Sequence, residues 1–417
     1  MEKQKNIPVL RFPEFKDAWE KKKLGEVGIT IIDGDRGSNY PNGSDFSIDG
    51  YCLFLNAKNV TKKGFLFSEN SFITKGKDEI LRKGKLQRFD IVLTTRGSVG
   101  HIAYYDNSIR LEHLRINSGM VLIRVSGLFL NSDYLYKYFN SNQIQNEISI
   151  ISFGSAQPQL TVGEISKLKI AYPALIEQQK LASFFTAVDN KLQTLKKKKT
   201  LLEQYRKGVM QKIFSLEIRF KPTLKDVNIS NVICEFPDWE EKMLSEVVEL
   251  RNSKYNPEKE NSSVKCIELE HLASETGQLS GFIDGKNSGS IKNRFNKGDV
   301  LFGKLRPYLK KYLFAPFDGV CSSEIWVLKG KHITNEFLYF IVQTNNFIDL
   351  TNISSGSKMP RADWNVVSKG LFDIPTLPEQ TKIANFLSAI DVKISLCTSQ
   401  IEKTEQYKKG LLQKMFV

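Results

Sequence analysis

The run Glu177-Gln178-Gln179-Lys180-Leu181-Ala182-Ser183-Phe184-Phe185-Thr186-Ala187-Val188-Asp189-Asn190-Lys191 returns 202 residues later. There it reads Glu379-Gln380-Thr381-Lys382-Ile383-Ala384-Asn385-Phe386-Leu387-Ser388-Ala389-Ile390-Asp391-Val392-Lys393. The same offset joins 151–214 to 353–416 without a gap, and 25 of those 64 pairs are identical. Likeness on that scale is a duplication, so the chain is one plan written twice. Apolar residues in the repeat step by three and four: Leu181, Phe185, Val188, Leu192, Leu195, Leu202, Tyr205, Val209 and Ile213. The second copy has Ile383, Leu387, Ile390, Ile394, Cys397, Ile401, Tyr407, Leu411 and Met415. This is the seam of a coiled coil, interrupted at Lys199 and Thr404. Pro173 and Pro375 lie just upstream, and Pro378 suits a first helical turn. The spacing predicts helices over 176–215 and 378–417, each roughly 55–60 Å long. A helix with one apolar stripe needs a partner. The nearest partner is its own repeat, paired antiparallel through Leu181, Phe185, Val188 and Leu192 on one side and Ile383, Leu387, Ile390 and Ile394 on the other. A pseudo-twofold axis would then cross the pair. The other possibility is two separate helices docking on other proteins.

Upstream of the helices the copies diverge. Asp133-Tyr134-Leu135-Tyr136 still echoes Glu336-Phe337-Leu338-Tyr339, and Trp19-Glu20 echoes Trp239-Glu240, but the offset drifts. Each copy is therefore a variable block followed by a shared one. The expected organisation is a first globular block over 1–175, a helix over 176–215, a second block over 216–377 and a helix over 378–417. The stretch 216–235 joins the halves and has no clear period. Short apolar runs such as Ile91-Val92-Leu93-Thr94, Met120-Val121-Leu122-Ile123 and Ile325-Trp326-Val327-Leu328 lie between Gly-, Asn-, Asp- and Ser-rich loops. They predict strands, hence a mixed α+β fold.

The 417 residues include 60 Lys+Arg against 46 Asp+Glu, a net charge of +14. Such a surplus points to an anionic partner, most often nucleic acid, although simple solubility also accounts for it. No run is long and apolar enough for a membrane span, and nothing after Met1 reads as a secretory signal, so a cytoplasmic protein is expected. The five Cys (52, 234, 266, 321, 397) form no CxxC, which argues against a disulfide framework or zinc knuckle. Catalytic signatures are missing as well. Gly-Lys is followed by Asp78, Leu86, Asn287, Leu305 or His332, never by the Ser or Thr that a phosphate cradle needs. There is no HExxH and no Pro-Pro pair, so neither a zinc hydrolase nor the base-gripping motif of DNA amino-methyltransferases is present. Pro237-Asp238-Trp239-Glu240-Glu241-Lys242 has the letters of a nuclease motif but no room for its hairpin, and reads as the start of the second block. No cofactor, metal or catalytic residue is expected. His113, beside Arg110 and Arg115, is either an anion contact or an ordinary loop residue.

The charge is lopsided: the first half carries +12 and the second +2. Even so, 75–96 (+4) and 292–311 (+6) are both locally basic although the surrounding sequence has diverged. Phosphate contact explains that pattern, and so does a solvated face.

Three features together resemble one family. The opening Arg11-Phe12-Pro13-Glu14-Phe15…Trp19-Glu20…Leu24-Gly25-Glu26-Val27 is the first. The stretch Gly298-Asp299-Val300-Leu301-Phe302-Gly303-Lys304-Leu305-Arg306-Pro307 is the second. The third is the repeated helix, starting Pro…Glu-Gln…Ala…Phe…Asp-x-Lys and ending Tyr-Arg/Lys-Lys-Gly…Gln-Lys-Ile/Met-Phe. The chain resembles the specificity subunits of type I restriction–modification systems over its whole length. The resemblance implies a non-catalytic reader of double-stranded DNA. Each variable block would be a target recognition domain for one half of a split, asymmetric sequence, with the helices setting the gap. Modification subunits, two per chain, would dock on the helices, and restriction subunits would complete the complex. Polar loop residues would read bases and cations would grip phosphate. On that basis the expected DNA contacts in the first copy are Thr95, Arg96, Ser98, Arg110, Ser155 and Gln157. In the second they are Lys304, Arg306, Lys310, Ser357, Lys358 and Arg361. The competing readings are the recognition part of a self-sufficient restriction–methylation enzyme and a coiled-coil scaffold with no DNA role.

Overall fold

A computed structural model describes residues 6–152, 159–223, 235–260, 263–353 and 359–417. They form two compact units, Met1–Lys197 with Ser399–Val417, and Lys198–Thr398. Each unit therefore takes a part of both long helices. No helix among the described residues is long and apolar enough to cross a membrane.

The first unit is built on an antiparallel sheet in the order Ile29–Asp33, Met120–Val125, Ile91–Thr94, Ile102–Tyr104. Side chains alternate across a strand, and both faces of this sheet are covered. Ile91, Leu93, Val121 and Ile123 face a core shared with the long helices. Val92, Met120 and Leu122 face a second core with Leu53, Leu55, Leu114 and Ile116. The latter come from a three-stranded sheet in which Cys52–Leu55 runs parallel to Leu114–Ile116. That explains why these strands read as unbroken apolar runs rather than as alternating ones.

The second unit repeats the plan with other letters. Its sheet runs Val248–Leu250, Ile325–Gly330, Val300–Gly303, Tyr312–Phe314. Val300, Phe302, Trp326 and Leu328 face the helices, while Leu301, Ile325 and Val327 face a second core with Ile267 and Cys321. The parallel pair also recurs, as Lys265–Ile267 beside Gly319–Cys321. Each block is closed by an antiparallel pair of its first and last strands, Glu20–Lys23 with Lys169–Tyr172 and Glu240–Met243 with Leu371–Ile374.

The long helices run Leu175–Phe214 and Leu377–Lys414. In the first unit Leu181, Ala182 and Phe185 share a core with Leu411, Leu412, Met415 and Phe416. In the second, Ile383, Leu387 and Ile390 share one with Met210 and Ile213, and Ile394 packs against it. Val188 and Leu192 are half-buried. Two residues depart from the expected seam. Tyr205 and Tyr407 are 53% and 57% exposed. Their neighbours turn inward instead: Arg206 binds Asp391 and Gln343, and Lys408 Nζ lies 2.5 Å from Asp189. Apolar spacing marks a stripe, but here a charged layer occupies it because each cation finds the repeat's own Asp.

The joining stretch also holds a repeat that its period does not reveal. Arg219 binds Glu379, and the Phe220 ring packs edge-on against Phe386. Arg11 and Phe12 make the same contacts with Glu177 and Phe184.

Candidate nucleic-acid interface

The strand Ile91–Thr94 turns into Ile102–Tyr104 through the tip 95–101, where Gly97 and Gly100 take the left-handed conformation (φ 71° and 88°). The tip is held by backbone bonds. Thr95 N–H donates to the Gly119 carbonyl (2.8 Å), Leu160 N–H donates to the Thr95 carbonyl (3.0 Å), and Arg96 bridges Gln159. Thr95, expected to be a reader, is only 3% exposed, so it serves this frame through its backbone. Arg96 and Ser98 are exposed at the tip and Arg110 in a neighbouring loop. Ser155 and Gln157 lie outside the described residues.

Two further guanidinium groups sit near this edge. Arg36 donates to Asp33 (3.2 Å) and to the Ser118 carbonyl (3.3 Å). Asp35 is buried and accepts backbone N–H bonds from Gly37 (2.8 Å), Arg82 (2.7 Å) and Lys83 (3.4 Å), while the Arg82 guanidinium lies beside Gly37. The Gly37 bond is the largest cause holding its carboxyl below the usual range, and burial opposes it. A Cβ at Gly37 would lie 2.8 Å from Arg82 Nη2, so a larger residue there would push the Arg82 guanidinium aside.

The second unit builds the same frame. Lys304 N–H donates to the Glu324 carbonyl (2.9 Å), Ala362 N–H donates to the Lys304 carbonyl (2.9 Å), and Leu305 bridges Arg361. Arg306 occupies the place of Gly97 and is left-handed too (φ 51°), as is Lys310 (φ 48°), on either side of the turn Pro307–Leu309. Arg306 is exposed, Lys304 half-buried, and Lys310 lies 3.7 Å from Glu275. Arg361 Nε donates to both oxygens of Glu324 (3.0 and 3.3 Å). Ser357 and Lys358 lie outside the described residues.

The basic stretches are less open than their charge counts imply. In the first, Lys77 pairs with Asp45 and Lys85 with Asp78, and Arg88 lies 4.2 Å over the Tyr105 ring. In the second, Lys292 is buried against Glu268 (2.6 Å) and Arg294 pairs with Glu260. Among the described residues Arg96, Arg110, Lys304 and Arg306 form no ion pair, which leaves positive charge open at and beside the tips; the exposed Lys83 and Lys297 of the same stretches form no ion pair either. His113 stacks on Tyr51 at 4.1 Å, and Arg115 is buried against Asp78 (2.8 Å), so these two do not form an anion site with Arg110. Burial pushes the Cys52 and Cys266 thiols up to about 12, which makes them inert. No group of three or more His, Cys, Asp or Glu among the described residues is placed to hold a metal ion. Charge counting missed Arg36, Gln159 and Glu324. Gln159 alone had a signal, since it stands 202 residues before Arg361.

The model of the family described as the type I restriction modification DNA specificity domain matches residues 16–204 and 237–406. The chain belongs to this family. The two matched segments are the two copies of the duplication, so one specificity domain falls in each. The MjaVIII type I restriction enzyme specificity subunit of Methanocaldococcus jannaschii is 24% identical, over 98% of this chain and 93% of its own length. The MjaIX specificity subunit of the same organism is also 24% identical, over 85% of each chain. The EcoDI specificity subunit of Escherichia coli is 25% identical over 62% of each. The crystal structure of the type I restriction–modification S subunit from M. genitalium covers 99% of both chains with a TM-score of 0.62 at 15% identity, a likeness of fold.

Proposed function

We propose that this specificity subunit reads a split, asymmetric double-stranded DNA sequence and directs the modification and restriction subunits of a type I complex to it. One observation carries the reading: the tip frame is built twice from the same backbone bonds but displays different side chains. Two equal frames suit the local twofold symmetry of duplex DNA, and different side chains make the two half-sites differ. The target recognition domains are assigned to 1–175 and 216–377. The helices over 176–215 and 378–417 pair antiparallel and set the gap between half-sites. In support, early turns of each helix share a core with late turns of the other. The subunit itself is non-catalytic and cytoplasmic, and two modification subunits dock on its helices. Arg96, Ser98, Arg110, Lys304, Arg306, Lys310 and Arg361 are the assigned DNA contacts.

The test is selection of bound sequences from random duplexes by the full chain with its modification subunits, across a salt series. A split, non-palindromic consensus and an affinity that falls steeply with salt are expected. Methylation or cleavage of DNA by the chain alone would overturn the non-catalytic assignment. A flat salt response without sequence preference would favour a scaffold.

A further inference from the structure

The frame bond from Lys304 N–H goes to the backbone carbonyl of Glu324 at 2.9 Å and leaves its side chain out of that bond. The carboxylate instead engages Arg361 through Nε, with oxygens at 3.0 and 3.3 Å, in a pair whose side chains are 50% (Arg361) and 26% (Glu324) exposed. An exposed ion pair contributes little to stability, so its presence at the edge of the frame calls for another explanation. Its geometry supplies one. With Nε engaged, the guanidinium plane is fixed, and its two terminal amino groups have no partner among the described residues. Two parallel N–H donors in a fixed plane match O6 and N7 of guanine in the major groove. Restraining the fork beforehand also lowers the ordering cost of binding.

The first unit has the same frame without the device. Thr95 N–H donates to Gly119 where Lys304 donates to Glu324, and Arg96 bridges Gln159 where Leu305 bridges Arg361. Position for position, a glycine and an amide replace the carboxylate and the guanidinium. An amide side chain complements adenine, not guanine.

We infer that Glu324 is a positioning residue for base recognition: it aims Arg361 at a guanine in the half-site read by the second domain. The inference rests on the DNA-reading function above. Glu324 acts through Arg361, so its removal should change which base is chosen at one position rather than how tightly DNA is held everywhere.

The experiment is sequence selection from random duplexes by the full chain with its modification subunits, comparing wild type with Glu324→Gln, Glu324→Ala, Arg361→Lys and the double variant Glu324→Gly/Arg361→Gln. The wild type should select guanine at one position of one half-site. Glu324→Gln, Glu324→Ala and Arg361→Lys should each lower that preference about tenfold, with the other positions and the other half-site unchanged. The double variant, which copies Gly119 and Gln159, should move the preferred base toward adenine. An unchanged base profile in all variants overturns the inference, as does a uniform loss of affinity with the profile intact, which marks a phosphate contact. If the wild type selects no split sequence, the DNA-reading function itself fails, an outcome distinct from both.

Discussion

Arg11 holds Glu177 through two parallel bonds of 2.7 Å, from Nε and Nη2 to the two carboxylate oxygens, with the Glu177 side chain only 1% exposed. The bond ties the opening segment of the first domain to the first turns of the long helix that follows that domain. Removing the guanidinium leaves a buried charge without its partner, which typically costs about 3–5 kcal/mol. Arg11→Ala should therefore lower the denaturant midpoint of the first unit clearly. Arg11→Lys should recover only part, because an ammonium cannot make the fork. Arg219→Ala should cost less. Its guanidinium is more exposed, and Glu379 also accepts from Trp239 Nε1 at 3.2 Å. Equal losses for the two variants would contradict this ranking.

Phe416, the penultimate residue, lies among Trp19, Tyr134, Tyr138 and Phe185, stacked on Phe185 at 5.4 Å. Phe214 makes the corresponding contacts with Trp239 and Phe337 in the second unit. Truncating a buried aromatic side chain to alanine costs about 3–5 kcal/mol. Phe416→Ala should therefore destabilise residues 6–197, although 416 lies more than 200 positions downstream of every one of them. Hydrogen exchange, resolved by peptide, should show faster exchange across Met120–Val125 and Ser132–Phe139. Unchanged protection there would show that the C-terminus is not part of that core.

The duplication, both long helices and the apolar strands were legible because each is a local pattern: an offset, a three-four step, an unbroken apolar run. The tips were legible only in part. Arg306 and Arg361 stood out by type. Counting charges, however, could not show that Lys292 and Arg115 spend theirs on Glu268 and Asp78. Those partners lie 24 and 37 residues away, and only the fold brings them together. Glu324 was invisible for the same reason. It faces Lys304 only through the register that sets Gly303 opposite Ile325. The inward turn of Arg206 and Lys408 escaped because spacing treats a cation as a break in the seam, not as a member of it.

Asp35 ties the loop carrying Arg36 to the segment carrying Arg82, and its carboxyl is held below the usual range chiefly by the Gly37 N–H, against the effect of burial. A depressed carboxyl contributes stability that is fully present above its unfolded value, about 3.9, and is lost as pH falls through the folded value. Hydrogen bonds to a charged group contribute about 1.5–3 kcal/mol each. Asp35→Asn should thus be destabilised at pH 7 by about that amount in total, since the amide oxygen keeps part of the bonding. The gap to wild type should stay constant down to about pH 4 and close below it. Unfolding curves from pH 7 to pH 2.5 check this (both values are set by the range around that unfolded carboxyl). A gap that widens on acidification would contradict the sign.

Arg306 occupies a conformation, φ 51°, that its counterpart Gly97 adopts at φ 71° with no side chain to strain. For an L-residue with a Cβ that region costs roughly 1–2 kcal/mol, part of which glycine gives back through its freer unfolded chain. Arg306→Gly should therefore raise the stability of the second unit by about 0.5–1 kcal/mol while weakening DNA binding. As a phosphate contact, Arg306 should take its counterion with it. The slope of log affinity against log salt should shrink by about 0.9, and every sequence should weaken alike. Arg306→Ala separates the two effects: it loses the same charge but keeps a Cβ, so binding should fall equally with no gain in stability. If both variants were destabilised, the strain at Arg306 would not be the cost that the glycine of the first tip avoids. If both kept the wild-type salt slope, the exposed guanidinium would not be gripping phosphate.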